Sequence, residues 1–113
     1  MAGGARSLDN GGMSDPKQIL SPNDVRDADL TGWKQVDQAL EATFDTGDFA
    51  TGLKLVNLLG ESAESANHHP DLTLTYSVVA VTLTSHDVGG VTSRDIDLAR
   101  VITEHAESLG VSA

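Results

Sequence analysis

The chain has no cysteine, only four aromatic side chains of the Phe, Trp and Tyr type, and no long apolar run. The absence of cysteine excludes disulfides, thiolate nucleophiles and cysteine-ligated zinc. No apolar stretch reaches the roughly 18 residues that a membrane-spanning helix needs. No charged-then-apolar leader indicates a signal peptide. We therefore predict a protein without a membrane partner, and a cytoplasmic location is the default expectation.

Basic residues are also scarce, with 7 Lys and Arg against 17 Asp and Glu and a formal net charge of −10. Binding to nucleic acid or to an anionic membrane requires clustered Lys and Arg side chains that contact phosphate. The sequence therefore excludes a nucleic-acid partner. The acidic excess is typical of a solvated surface that aids solubility, and the alternative is the steering of a cationic ligand.

The first 17 residues differ in composition from the rest of the chain. They contain Gly3-Gly4 and Gly11-Gly12, few apolar residues and no periodicity. This composition predicts a disordered N-terminal tail or a non-native remnant over residues 1–17. Residues 18–113 then form one domain with a modest core.

The first half of this domain predicts a helix, a hairpin and a second helix. Ser21-Pro22 is a helix-start pair, with the helix running to Leu30. Residues 33–36 and 40–44 alternate as two strands. Asp48 is the predicted N-cap of the second helix, which must end before Pro70. Its predicted apolar face comprises Phe49, Leu53, Val56, Leu59, Ala63 and Ala66, widened by Leu55 and Leu58.

The second half predicts two more strands and a third helix. Residues 72–76 and 79–83 alternate and are rich in β-branched side chains. Thr92 and Asp95 have the spacing of a capping box, which opens a helix that ends at Gly110. The order α-β-β-α-β-β-α without crossover patterns indicates an α+β domain with a four-stranded antiparallel sheet.

Three of the four histidines lie within residues 64–95, a segment that begins and ends with a carboxylate, Glu64 and Asp95. His68 and His69 precede Pro70, Glu64 comes four residues earlier, and His86 and Asp95 follow. A histidine can give or take a proton near neutral pH. The cluster therefore predicts an acid–base or a metal site.

Each of these residues also has a purely structural interpretation. Glu64 and His68 can touch if the helix reaches His68, and the pair would then resemble an ordinary surface ion pair. His69 could be an exposed loop residue, and Asp95 already has a structural role in the capping box. Tyr76 is expected in the core or at its rim, and His105 is expected at the surface, outside the cluster.

The spacing of this cluster resembles the signature of the pterin-4a-carbinolamine dehydratases. The resemblance is carried by Glu64, His68-His69-Pro70, Tyr76, His86 and Asp95, with flanking words at residues 82–87 and 89–92. It extends less specifically over residues 30–109. Leu72 is one departure, where relatives often carry Trp.

The resemblance implies a fold, an activity and a set of site residues. It implies helices packed on one face of the sheet, a homodimer or homotetramer, and a dehydratase of 4a-hydroxytetrahydrobiopterin, acting in tetrahydrobiopterin recycling, that needs no cofactor and no metal. Catalysis is expected from His68, His69, His86, Glu64 and Asp95. The pterin is expected to contact His68, His69, Pro70, Ser85, His86, Asp87 and Val88.

Two other functions remain open from the sequence. The domain could be a protein-interaction module, such as a dimerisation cofactor or coactivator, because its helices supply apolar faces. It could also be a zinc hydrolase that uses His68, His86 and a carboxylate, although the His-x-x-x-His and His-Glu-x-x-His spacings of zinc enzymes do not occur.

Overall fold

The computed structural model describes residues 15–113, which form three helices and four strands in the order α-β-β-α-β-β-α. The helices are α1 (Pro22–Asp27), α2 (Phe49–Ala66) and α3 (Ser93–Ser108). The strands are β1 (Lys34–Val36), β2 (Ala39–Asp45), β3 (Asp71–Leu74) and β4 (Val78–Leu83). The predicted α+β class and element order are confirmed. The predicted tail lies largely outside the described residues.

The four strands form one antiparallel sheet in the order β1-β2-β4-β3. Strand β2 alternates cleanly, with Leu40, Ala42 and Phe44 buried and the residues between them exposed. The buried residues pair with Leu83, Val81 and Val79 of β4. Helices α2 and α3 complete the core over this apolar face with Leu55, Leu59, Ala99 and Ile102, each 0% exposed.

The pairing of β3 with β4 determines where the histidines lie. Asp71 pairs with Thr82, so the start of β3 lies beside the end of β4. The His68-His69-Pro70 segment immediately precedes β3, and Ser85-His86 shortly follows β4. Residues that are 17 positions apart therefore meet at one end of the sheet.

Helix α1 ends earlier than predicted. Ser21 is its N-cap, in a capping box with Asp24, as the sequence indicated. The helix stops at Asp27 rather than Leu30, because Asp29 adopts a left-handed conformation with φ of 53°. Such a residue cannot continue a right-handed helix.

The apolar face predicted for α2 is partly wrong. The residues that are buried are Gly52, Leu55, Leu59 and Ala63. Phe49 and Leu53 remain 47% and 44% exposed. The helix therefore packs on the sheet with a face rotated from the predicted one.

Tyr76 is not a core or rim aromatic. It lies in the turn between β3 and β4 and is 72% exposed. The sequence placed it in a strand, but β3 ends at Leu74 and Thr75 N–H donates to Val78 O at 3.0 Å to close the turn. Trp33 is half-buried, and its Nε1 donates to Thr103 Oγ1 at 2.9 Å.

The N-cap of α2 gives a pH-dependent prediction. Thr51 N–H donates to Asp48 Oδ1 at 2.8 Å, and this hydrogen bond lowers the pKa of Asp48 below its usual value. A lowered folded-state pKa contributes stability above the unfolded pKa, about 3.9, and that contribution is lost as the pH falls through the folded-state pKa. We expect acidification from about pH 6 to about pH 2.5 to destabilise wild type relative to Asp48→Asn.

Urea denaturation of both proteins across this range measures the difference, since all other carboxyl groups are common to the two chains. Asn caps helices without titrating, so it retains the hydrogen bond throughout. A wild type and an Asn variant that lose stability in parallel would show that the cap charge contributes nothing.

Candidate active site

A left-handed residue separates α2 from the histidine pair. Asn67 has φ of 50° and ψ of 43°, and its N–H and that of His68 close the helix, His68 N–H donating to Ala63 O at 3.1 Å. Asn tolerates this conformation better than most residues. The helix therefore ends before Pro70, as predicted, and the His pair lies just past its C-cap. The reversal of the chain turns His68 inward, 8% exposed, while His69 remains exposed.

His68 contacts Asp95 across the interior. Its Nε2 lies 2.5 Å from Asp95 Oδ1, and the carboxylate is 0% exposed. Burial removes water from a charged group, so a buried carboxylate requires donors from the protein. The ring of His68 is therefore held in place by an interaction that water does not weaken.

The second oxygen of Asp95 is also fully used. Oδ2 accepts from Thr92 N–H at 2.9 Å, which is the predicted capping box of α3, and from Ser85 Oγ at 2.8 Å. Ser85 Oγ lies 2.8 Å from Thr92 Oγ1, and both residues are buried. Asp95 therefore holds the histidine and caps the helix at the same time.

Arg94 ties the turn after β4 to the start of α3. Its Nη2 donates to Asp87 Oδ1 at 2.8 Å, and its Nε and backbone N–H donate to Thr92 Oγ1. The guanidinium hydrogen bond holds the pKa of Asp87 below its usual value. This pair is part-exposed, so we expect it to order the turn more than to stabilise the fold.

Glu64 has a different partner from the one considered from the sequence. Its Oε2 contacts His69 Nε2, and both side chains are more than half exposed. The Glu64–His68 contact is therefore wrong, because the left-handed Asn67 takes His68 off the helical face. An exposed pair of this kind contributes little to stability, but it restrains the His69 ring beside the buried pair.

His86 lies at the same end of the sheet as His68 and His69, but it lines a different cavity. It is exposed and borders a cavity of about 360 Å³, which is also lined by Asp37 and Gln38 of the β1–β2 turn and by Thr84 after β4. In the part of the chain that the structure describes, no hydrogen bond involves its ring. It is therefore available to a ligand, whereas His68 is already engaged.

The remaining predicted ligand contacts differ in exposure. Pro70 and Val88 are half-buried, and Asp87 is exposed. Ser85 is 1% exposed, with its hydroxyl directed at Asp95 and Thr92. It therefore lies behind the surface that a ligand could reach.

A groove of about 590 Å³ runs between α2 and α3 beside His68. The charged side chains along the groove are Arg94, Asp97 and Glu61. Its apolar wall is formed by Leu98 and Val101. Thr92 and Arg94 were not selected from the sequence as site residues. Thr92 lies in the flanking words of the family signature, and its spacing to Asp95 predicts a helix cap, but neither signal indicates its contact with Ser85.

His105 stands apart from this arrangement. It is half-buried on α3, and its Nε2 lies 2.7 Å from Ser62 Oγ. Within residues 15–113, no three His, Asp or Glu side chains come close enough together to hold a metal ion. In the same range, no helix has the length and apolar character needed to cross a membrane.

Comparison with known proteins identifies relatives across most of the chain. The family model for pterin 4 alpha carbinolamine dehydratase matches residues 18–105. A protein of Thermosynechococcus vestitus is 52% identical over 89 residues, which cover 77% of this chain and 94% of that protein. A protein of a Nostoc species is 42% identical over 89 residues, covering 77% and 96%. Both are named "Putative pterin-4-alpha-carbinolamine dehydratase".

A solved structure has the same fold. The crystal structure of a transcriptional coactivator/pterin dehydratase from Brucella melitensis matches with a TM-score of 0.75 at 33% identity. The match covers 79% of this chain and 99% of that one. The likeness therefore extends over nearly the whole of that relative.

The buried Asp95 should be important for stability. Removing one partner of a buried charged pair leaves the other without compensation, so Asp95→Ala should lower the free energy of unfolding by about 3 kcal/mol. Asp97→Ala, at an exposed position on the same helix, should change it by less than about 0.5 kcal/mol. Urea denaturation of the three proteins measures both values, and equal losses would mean that Asp95 acts only as a helical surface charge.

Proposed function

Because the chain belongs to the pterin-4a-carbinolamine dehydratase family, we propose that it is a hydro-lyase that removes water from a pterin-4a-carbinolamine. The predicted substrate is 4a-hydroxytetrahydrobiopterin, and the product is the quinonoid dihydropterin. The observation that best supports this activity is the His68–Asp95 pair, which supplies a fixed imidazole at the sheet end where His69 and His86 also lie.

The reaction requires two proton transfers. The N5–H bond and the C4a–O bond break as the C4a=N5 double bond forms, and the oxygen leaves as water. Hydroxide is a poor leaving group, so a general acid must protonate it while a general base takes the N5 proton. Histidine side chains can perform both steps near neutral pH.

We assign the proton transfers to His68, His69 and His86, without dividing acid from base. Asp95 and Glu64 each contact one of these rings. A carboxylate that accepts a hydrogen bond from an imidazole fixes the orientation of the ring. We propose that Glu64 and Asp95 act through their histidines.

The pterin is proposed to bind at the end of the sheet, between the His68-His69-Pro70 segment and the turn after β4. His86, Asp87 and Val88 would supply contacts from the turn. The exposed ring of His86 and the exposed Asp87 can donate and accept hydrogen bonds. Because Ser85 is 1% exposed, we propose that it acts from behind the binding surface.

A second candidate function is a protein-interaction module of the same fold. Phe49 and Leu53 are four residues apart on α2 and are both more than 40% exposed, which places two large apolar side chains on one helical face. The Brucella melitensis relative is described as a coactivator as well as a dehydratase.

The homodimeric or homotetrameric state, the cytoplasmic location and the 1–17 tail remain predictions.

Loss of each site histidine should reduce dehydration. His68→Ala and His86→Ala should each lower the catalysed rate by ~10²-fold or more, the contribution of one positioned acid–base group. Stopped-flow absorbance with a freshly generated carbinolamine pterin measures the rate. His105→Ala is the matched control, since it removes a histidine from outside the site, and it should leave the rate unchanged.

The stability of these variants separates catalysis from folding. His86 has no partner to lose in the described part of the chain, so His86→Ala should unfold at the wild-type urea concentration. Equal rate losses in all three variants, or no catalysed dehydration by wild type, would contradict the proposed function.

Metal removal tests the hydrolase alternative. Histidine supplies the proton chemistry of the proposed dehydration, so dialysis against a strong chelator should leave the rate unchanged. The dialysed protein is assayed by the same stopped-flow method, with and without added zinc. Activity lost on dialysis and restored by zinc would favour a zinc enzyme that uses His68 and His86.

A further inference from the structure

The buried hydroxyl groups beside Asp95 form a directed chain of hydrogen bonds. A carboxylate can only accept, and each hydroxyl has one hydrogen to donate. Ser85 Oγ therefore donates to Asp95 Oδ2 at 2.8 Å. Thr92 Oγ1, 2.8 Å from Ser85 Oγ, must then donate to Ser85, because the Ser85 hydrogen is already used. Thr92 Oγ1 accepts in turn from Arg94 N–H at 3.2 Å.

The same rule determines which nitrogen of the His68 ring carries a hydrogen. Asp95 Oδ1 lies 2.5 Å from His68 Nε2 and cannot donate, so Nε2 must carry a hydrogen. The neutral ring is then the Nε2–H tautomer, with its lone pair on Nδ1. Nδ1 is the nitrogen left to exchange a proton with a substrate.

Ser85 is the member of this chain that no helix-capping role explains. Thr92 is the N-cap of α3 and Asp95 belongs to its capping box. Ser85 precedes the helix by several residues, is 1% exposed, and directs its hydroxyl at the carboxylate. Without that hydroxyl, Oδ2 would retain Thr92 N–H as its sole donor, and the carboxylate could rotate about its Cβ–Cγ bond.

We propose that Ser85 is a positioning residue for His68: its buried hydroxyl, oriented by Thr92, holds the Asp95 carboxylate in the rotation that keeps His68 as the Nε2–H tautomer. The expected effect of Ser85 on kcat rests on the proposed function, whereas its expected effect on the His68 tautomer does not. Ser85 acts behind the ring and does not touch the pterin.

Kinetics distinguish this role from substrate binding. Ser85→Ala should lower kcat by about tenfold, because a mispositioned acid–base group loses part of its ~10²–10⁴-fold contribution. KM should stay within about twofold, since a residue outside the binding surface does not alter ground-state binding. Ser85→Thr restores the hydroxyl and should recover most of kcat. A raised KM with unchanged kcat would overturn the proposal and make Ser85 a substrate contact.

Nuclear magnetic resonance tests the tautomer without any turnover. Spectra that correlate the ring carbon-bound hydrogens with the two ring nitrogens assign the His68 tautomer in wild type, Ser85→Ala and Ser85→Thr. We expect Nε2–H in wild type and Ser85→Thr, and a mixture of tautomers in Ser85→Ala. Wild-type His68 in the Nδ1–H form, or an unchanged ring in Ser85→Ala, would overturn the proposal.

Thr46→Ala is the matched control for loss of a buried hydroxyl. Thr46 is 7% exposed and its Oγ1 donates to Asp48 O at 3.2 Å, at the start of α2 and away from His68. It should lower stability and leave the His68 ring spectrum unchanged. An altered ring spectrum in Thr46→Ala would show that the ring responds to general loosening of the fold, which would also overturn the proposal.

The kinetic measurement and the measurement of the His68 tautomer can fail separately. Wild type that shows Nε2–H but does not dehydrate the carbinolamine contradicts the proposed function and leaves the positioning role standing. If Ser85→Ala does not fold, wild type and Ser85→Thr still carry the test: His68 must be in the Nε2–H form in both, and any other ring form in either protein overturns the proposal.

Discussion

The buried carboxylate of Asp95 is the interaction on which this end of the molecule depends. It is 0% exposed, and its oxygens are satisfied by a histidine ring, a serine hydroxyl and a backbone N–H. Those donors come from the end of α2, the segment after β4 and the start of α3. An unpaired charge here would be costly, so the three elements must come together for the fold to be stable. The hydrogen bonds that satisfy the Asp95 carboxylate therefore also fix the position of His68.

Much of the architecture could be predicted from local signals. The capping residues Ser21, Asp48 and Thr92 open helices as expected, because a side chain that caps needs only neighbours three residues away. The buried face of α2 is only partly as predicted, because apolar residues occur on several sides of the helix and its contacts with the sheet decide which of them are buried. The sheet packs closely against α2 at Gly52, where an added Cβ would lie 2.7 Å from Leu74 Cδ1. Glycine gives no hydrophobic signal, so periodicity could not locate that contact.

The site was predicted as a set of residues but not as a set of contacts. The spacing selected His68, His69, His86, Glu64 and Asp95, and the roles of these residues remain proposals. Their pairing depends on distance in space: His68 and Asp95 are 27 residues apart in the sequence and 2.5 Å apart in the structure. One left-handed residue, Asn67, decides that Glu64 meets His69. No helical periodicity anticipates a single reversal of this kind.

The capping box that contains Asp95 also links the site to the opening motions of α3. Helix ends fray more readily than helix centres, and hydrogen exchange detects such openings as local unfolding events. Here the first turn of α3 cannot open without moving the Asp95 carboxylate that contacts His68. The contact between Asp95 and His68 therefore lasts no longer than the first turn of α3 stays closed. Thr92 N–H donates to the same carboxylate and is buried, so its exchange with solvent reports on how often this turn opens.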